Sequence, residues 1–166
     1  VQTCALPISK EGDVIAVWFS CGAASAVATK LTLERYGNLC DVRVVNNPVI
    51  EEDEDNRRFL ADVQDWLGIA IEDARNSKYP TASAEDVWDK RGGMSFPHGA
   101  PCTQHLKKEA RQQWEARNHH DWMVLGYGAE ERDRYDMFTL TERPNVLPIL
   151  MDAKMTRQDC YEYIVN

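Results

Sequence analysis

The chain has 166 residues, 43% hydrophobic and 28% charged, with 9 Gly and 7 Pro; this fits one globular domain and excludes disordered, collagenous and low-complexity classes. Nineteen Lys and Arg against 27 Asp and Glu leave a net charge of -8, which disfavours a non-specific hold on nucleic acid or an anionic membrane. The longest apolar run, Val14 to Phe19, is six residues, against roughly 20 for a membrane-spanning helix, so the expectation is a soluble, cytoplasmic protein.

In chain order, Val1 to Ile8 fits no element, and residues 1–9 read as an extraneous or disordered leader to a domain covering 10–166. Val14-Ile-Ala-Val-Trp-Phe19 is apolar, β-branched and aromatic almost throughout, the pattern of a strand buried on both faces of a parallel sheet. The small residues Ser20-Cys-Gly-Ala-Ala-Ser25 turn the chain into a helix over Ala26 to Tyr36, with a Gly37-Asn38 stop. Val42 to Val45 is a second strand, ending in Asn46-Asn-Pro48. Glu51 to Leu67 carries Phe59, Leu60, Val63, Trp66 and Leu67 at helical spacing, with acidic residues at its positive N-terminal end. Ile69 to Ile71 is a short third strand, and Asp73 to Ala100, broken by Gly92-Gly93, Pro97 and Gly99-Ala-Pro101, reads as irregular.

Thr103 to Arg117 reads as a helix, Trp122 to Leu125 as a buried strand ending in Gly126-Tyr-Gly128, and Val146 to Leu150 as an edge segment. A last helix spans Thr156 to Val165 with Thr156 as its cap. Strands alternating with helices predict a parallel α/β sheet, with ligands beyond the carboxyl ends of the strands. Trp18, Trp66, Trp114 and Trp122 sit in apolar-periodic contexts and are expected in the core. His119-His120 lacks a ligand partner at metal-binding spacing and reads as surface.

Charge is uneven along the chain: residues 88–111 carry 5 basic and 2 acidic side chains, while residues 1–87 carry 8 and 15 and residues 112–166 carry 6 and 10. This basic island is either a solvated face or an anion site. The five cysteines, Cys4, Cys21, Cys40, Cys102 and Cys160, include no C-x-x-C pair, so neither a disulfide scaffold, a zinc ribbon nor an iron–sulfur cluster is expected.

At the Ser20 to Ser25 turn, backbone N–H groups at a helix start can approach an anion closely, although small residues also suit any tight strand-to-helix crossing. With Ser20, Gly22 and Ser25 matching, Cys21 in place of a glycine and Ala24 in place of an aspartate, the turn resembles the PP-loop signature S-G-G-x-D-S. That signature belongs to the adenine-nucleotide alpha-hydrolase-like superfamily, and the altered form here resembles its phosphoadenosine phosphosulfate (PAPS) reductase-like proteins. Pro101-Cys102-Thr-Gln-His-Leu-Lys107 resembles the family's cysteine-to-lysine segment, and Gly126 to Arg134 its G-x-x-x-E-x-x-R segment. Leu147-Pro-Ile149 with Thr156 to Tyr161 resembles its proline-containing strand and following helix. The likeness covers about residues 12 to 165.

The resemblance implies a Rossmann-like parallel sheet with helices on both faces. It also implies binding of a phosphate- or sulfate-bearing adenylate (PAPS, adenosine phosphosulfate or ATP) through Ser20, Cys21, Gly22, Ala23, Ser25, Asn46, Lys107, Gly126, Glu131 and Arg134. Lys107 and Arg134 would supply charge-assisted bonds to oxyanions, with Arg132, Lys108 and Arg111 as weaker candidates. Glu131 either orients one of these cations or is surface charge. Asn46 or Asn47 either meets the nucleotide or forms a turn with Pro48. Cys102 is either a low-pKa thiolate at a helix start beside His105 and Lys107, and so a catalytic candidate, or a small residue that fits. Cys21 reads as a space-filler. Alternative functions are ATP-dependent adenylation, as in amidation or thiolation, and nucleotide binding without catalysis. A thiol electron donor as partner, Mg²⁺ with the nucleotide and an oligomeric state are all compatible. The family's reductive cysteine lies in a C-terminal tail, and this chain stops at Asn166 in the helix before it, so the expectation is a domain truncated at its C-terminus. Ala24 supplies no metal ligand where the signature has aspartate, which favours PAPS-type binding over adenylation.

Overall fold

The computed structural model describes residues 10–97 and 99–166, and the leader expected over residues 1–9 lies outside them. In chain order the elements are β1 (Val14–Phe19), α1 (Ala23–Tyr36), β2 (Asp41–Asn46), α2 (Glu54–Leu67), β3 (Ile71–Asp73) and α3 (Ala84–Arg91). A π-helical segment, Thr103–Glu109, runs into α4 (Ala110–Arg117); β4 (Trp122–Val124), a 3-10 turn at Ala129–Glu131, α5 (Arg132–Thr141), β5 (Val146–Leu147), α6 (Ile149–Asp152) and α7 (Arg157–Val165) complete the chain. The five strands form one parallel sheet in the order β3-β2-β1-β4-β5, flanked by helices, a Rossmann-like α/β fold. The chain separates into two compact units, one made by residues up to Val44 with His120–Asn166, the other by Val45–His119.

In the first unit, Ile15 to Phe19 are all buried, which explains the unbroken apolar run of β1. β1 pairs with β4 in parallel, Ala16 opposite Met123, and β4 pairs with β5, Val124 opposite Leu147. Asp121 ties the strand starts together, its carboxylate accepting from the Val14 N–H at 2.8 Å. α1 starts at Ala23, three residues earlier than the apolar pattern alone suggests, because Ala23, Ala24 and Ser25 of the turn already form its first turn. It buries Ala26, Val27, Ala28, Thr29 and Thr32, and the two threonine hydroxyls are satisfied by donating to Ser25 O and Ala28 O at 2.7 and 2.6 Å. α7 packs against α1 and begins at the expected cap, where the Thr156 hydroxyl accepts from the Asp159 N–H. Its Cys160 is fully buried, and desolvation pushes that thiol up to about 11. Cys21, Cys40, Cys102 and Cys160 are all free thiols. The segment read as an edge strand over 146–150 ends at Leu147. Pro148, which has no N–H for a ladder, starts α6 instead.

In the second unit, the stripe on α2 has only Val63 fully buried, and Trp66 is 44% exposed, so the core assignment of Trp66 is overturned. Helical spacing reveals a stripe, but only the residue at its centre is shielded. Trp18 and Trp114 are buried as expected, while Trp122 is part-buried, its indole N–H donating to Asp13 at 2.8 Å. The third strand lies two residues later than expected, at Ile71–Asp73.

The stretch read as irregular contains α3. Ser83 caps it, its hydroxyl accepting from the Asp86 N–H; Glu85 and Asp86 occupy its first turn, and Gly92, at φ 73°, ends it in the left-handed conformation. Val87 and Ala84 pack with Tyr79 and Leu106. Glu51 adds a second cap from outside the helix, its carboxylate accepting from the Ala84 N–H at 2.8 Å and from the Ser83 hydroxyl. Burial opposes the charge on Glu51, but the Ser83 hydroxyl and the Ala84 and Glu85 N–H groups outweigh it and hold the carboxyl below its usual range. A carboxylate with a lowered folded pKa stabilises the fold above its unfolded value, near 4, and loses that contribution as pH falls through the folded value. Glu51→Ala is therefore expected to cost about 1 kcal/mol in urea unfolding at pH 7. The gap from the parent should close as the pH is lowered below about 4, and a gap independent of pH would argue against this role.

Candidate functional site

In the first unit, the β1–α1 turn is shaped by Ser25, which is 2% exposed. Its hydroxyl accepts from the Ser20 N–H at 3.1 Å and donates to Gly22 O at 2.9 Å, closing a tight loop over residues 20–25. Cys21 holds φ 56°, a left-handed conformation that favours glycine; the resembled signature has glycine at this position. Gly22 caps α1 in extended conformation, and the first turn of α1 carries no acidic side chain. The positive end of the α1 dipole is thus left without a carboxylate of its own. Of the expected residues here, Ser20 is exposed, Cys21 and Gly22 are part-buried, and Ala23 is buried.

Gly126, two residues beyond β4, lies against this turn. A Cβ on Gly126 would stand 2.9 Å from Ser25 N and 3.2 Å from Ala24 C, both backbone atoms, so only glycine allows the approach. Farther along, Glu131 has a side chain 10% exposed and accepts from the Gly128 N–H at 3.2 Å. Arg134 pairs with the same carboxylate, and Arg157 Nε approaches it to 3.6 Å. The Arg134 guanidinium also lies 5.4 Å from the centre of the Tyr127 ring. Glu131 thus pairs with Arg134, and Arg157 is a second cation beside it that motif reading does not pick out.

The remaining expected residues belong to the second unit. Asn46 is buried at the end of β2, its carbonyl accepting from the Ala74 N–H at 2.7 Å, and Asn47 donates its side-chain amide to Ala74 O at 3.1 Å. Both asparagines hold the β2 and β3 ends together. Cys102 stands in the first turn of the helix that begins at Pro101, with helical backbone and no side-chain capping bond, and it packs on the cluster of Tyr79, Ala84, Val87 and Leu106. The neighbours expected to activate it are engaged elsewhere, His105 Nδ1 with Glu109 at 2.8 Å and Lys107 Nζ with Glu52 at 2.6 Å. In the basic island, Lys90 lies 4.7 Å over the Tyr79 ring, and Arg111 Nε stands 3.8 Å from Glu115. Asn76, 1% exposed, bonds to both His105 and Glu109; its place in a stretch without periodic signal hides it from sequence reading.

Among the described residues no group of three or more His, Cys, Asp and Glu side chains could hold a metal ion. The chain matches no protein-family model and no curated protein.

The turn geometry sets opposite expectations for two positions. Gly126→Ala forces the α1 turn to shift and should cost about 1–3 kcal/mol in chemical unfolding. Cys21→Gly should leave stability unchanged or raise it by up to about 1 kcal/mol, whereas Cys21→Val should lose more than about 1 kcal/mol. A Cys21→Val variant as stable as the parent would remove the strain argument.

Proposed function

We propose that the first unit binds the phosphate or sulfate group of an adenine nucleotide at the β1–α1 turn. The observation that carries this reading is the position of that turn in the sheet. β1 and β4 are neighbours, and the chain leaves β1 towards β2 on one side and β4 towards β5 on the other. In an open parallel sheet, ligands bind at this switch point, beyond the carboxyl ends of the two central strands. The Ser20–Ser25 turn follows β1 there, and Gly126 follows β4. The small side chains of the turn and the acid-free N-terminus of α1 suit an oxyanion, which backbone N–H groups can meet without a bulky residue between them.

The adenine part of the reading, and the PAPS reductase-like family behind it, rest on the resemblance of the motifs. Lys107 and Asn46 enter on the same ground. The alternatives part ways once the nucleotide is bound: an adenylating enzyme releases pyrophosphate from ATP when its acceptor is present, whereas a binding module holds the nucleotide without turnover. With Ala24 at the signature's aspartate position, the turn offers no carboxylate to Mg²⁺, which supports a sulfonucleotide over ATP-dependent adenylation.

Titration calorimetry with AMP, ATP, adenosine phosphosulfate and PAPS is the direct measurement. At least one should bind with a Kd below about 1 mM, roughly -4 kcal/mol; no binding by any of them would end the proposal. Lys107→Ala should weaken the anionic ligand roughly tenfold, and an unchanged Kd would remove that lysine from the reading without touching the turn.

A further inference from the structure

Lys107 lies in the middle of the π-helical segment Thr103–Glu109. A π turn bonds i to i+5, one residue wider than an α turn, and such turns are rare because regular α geometry is normally preferred. Side-chain bonds from outside such a segment can hold its register, and Asn76 makes them. Its side-chain amide donates to His105 O at 2.9 Å and to Glu109 Oε2 at 3.1 Å, and its Oδ1 accepts from the Lys78 N–H at 2.9 Å and from Gln113 Nε2 at 3.0 Å. Two donors and two acceptor positions are all that an asparagine side chain has, so this residue, 1% exposed, is fully committed.

The two groups it donates to stand on either side of Lys107. Glu109 is drawn in further by His105 Nδ1 at 2.8 Å. Burial opposes its charge, but the bonds from His105, Gln104 and Asn76 hold its carboxyl below the usual range. The Tyr79 ring packs on His105 at 5.4 Å between centres. A relaxation from π to α register would rotate the side chains on one side of the turn by one residue's step, about 100°, and would take Lys107 out of line with Glu52, now 2.6 Å away.

We propose that Asn76 is a positioning residue: it holds Thr103–Glu109 in π register and thereby sets the direction of Lys107. Its link to ligand binding rests on the nucleotide reading above, but the register does not.

The register can be read directly by NMR couplings across backbone hydrogen bonds, which identify the acceptor of each N–H. In the parent chain the segment should show i to i+5 couplings. Asn76→Ala, and Asn76→Ser as a milder change, should shift them to i to i+4 while the amide spectrum of the rest of the chain stays in place. A π register that persists in a folded variant overturns the proposal, and so does global unfolding of both variants, because a residue that only sets direction leaves the fold intact. In nucleotide titrations, Asn76→Ala should cost as much affinity as Lys107→Ala, about tenfold, and the double variant should be no weaker than either single one. Additive losses overturn the positioning role. If Lys107→Ala alone changes nothing, the part of Lys107 in nucleotide binding fails, and the NMR couplings still decide what Asn76 does.

Discussion

The missing side chain of Gly126 is the constraint on which the first unit depends. With a Cβ at that position the end of β4 would press on the backbone of Ser25 at 2.9 Å, and α1 would have to move away from the sheet. With hydrogen alone, the first turn of α1 stays seated over the ends of β1 and β4. The neighbouring groups fit this seat: Ser25 is small and satisfies its own hydroxyl locally, and the residues that α1 buries are alanine, valine, threonine and serine. The loop after Gly126 then brings Gly128 and Glu131 together, and through Glu131 the two arginines.

The acidic balance of the chain acquires a structural account. Carboxylates stand at the N-terminal ends of α2 (Asp53, Glu54, Asp55), α3 (Glu51, Glu85, Asp86) and α7 (Asp159), where they complement helix dipoles and unsatisfied N–H groups. α1 is built differently, with a glycine cap and no acid in its first turn. An overall negative charge therefore does not argue against an anion at this one helix end. Local placement decides the field there, because exposed charges more than about 10 Å away are screened at ordinary salt.

The elements that rest on local pattern are legible in the sequence. β1 is readable because five consecutive residues are buried, α7 because Thr156 and Asp159 form a capping box, and the β1–α1 turn because small residues cluster between an apolar run and a helix. α3 escapes such a reading although Ser83, Asp86 and Gly92 mark both its ends; only Ala84 and Val87 of its residues are buried, so no periodic stripe announces it. α5 gives no stripe either, since none of its residues is fully buried. The π register of Thr103–Glu109 has no local signal, because its partner Asn76 lies 29 residues from His105 in sequence. Lys107 is recognisable by residue type, but its pairing with Glu52, 55 residues away, is a tertiary fact. Chemistry-bearing residue types can be read along a chain; their partners cannot when they arrive from a distant segment.

The burial of Cys160 makes α7 self-reporting. A thiol with no solvent contact and a pKa of about 11 offers almost no thiolate to a reagent at neutral pH, whereas the part-buried Cys21 and Cys102 are within reach of one. Modification of Cys160 under native conditions must wait for α7 to lift from α1. Its labelling rate therefore counts those openings, so the chain carries an internal clock for the detachment of its last helix without an added probe.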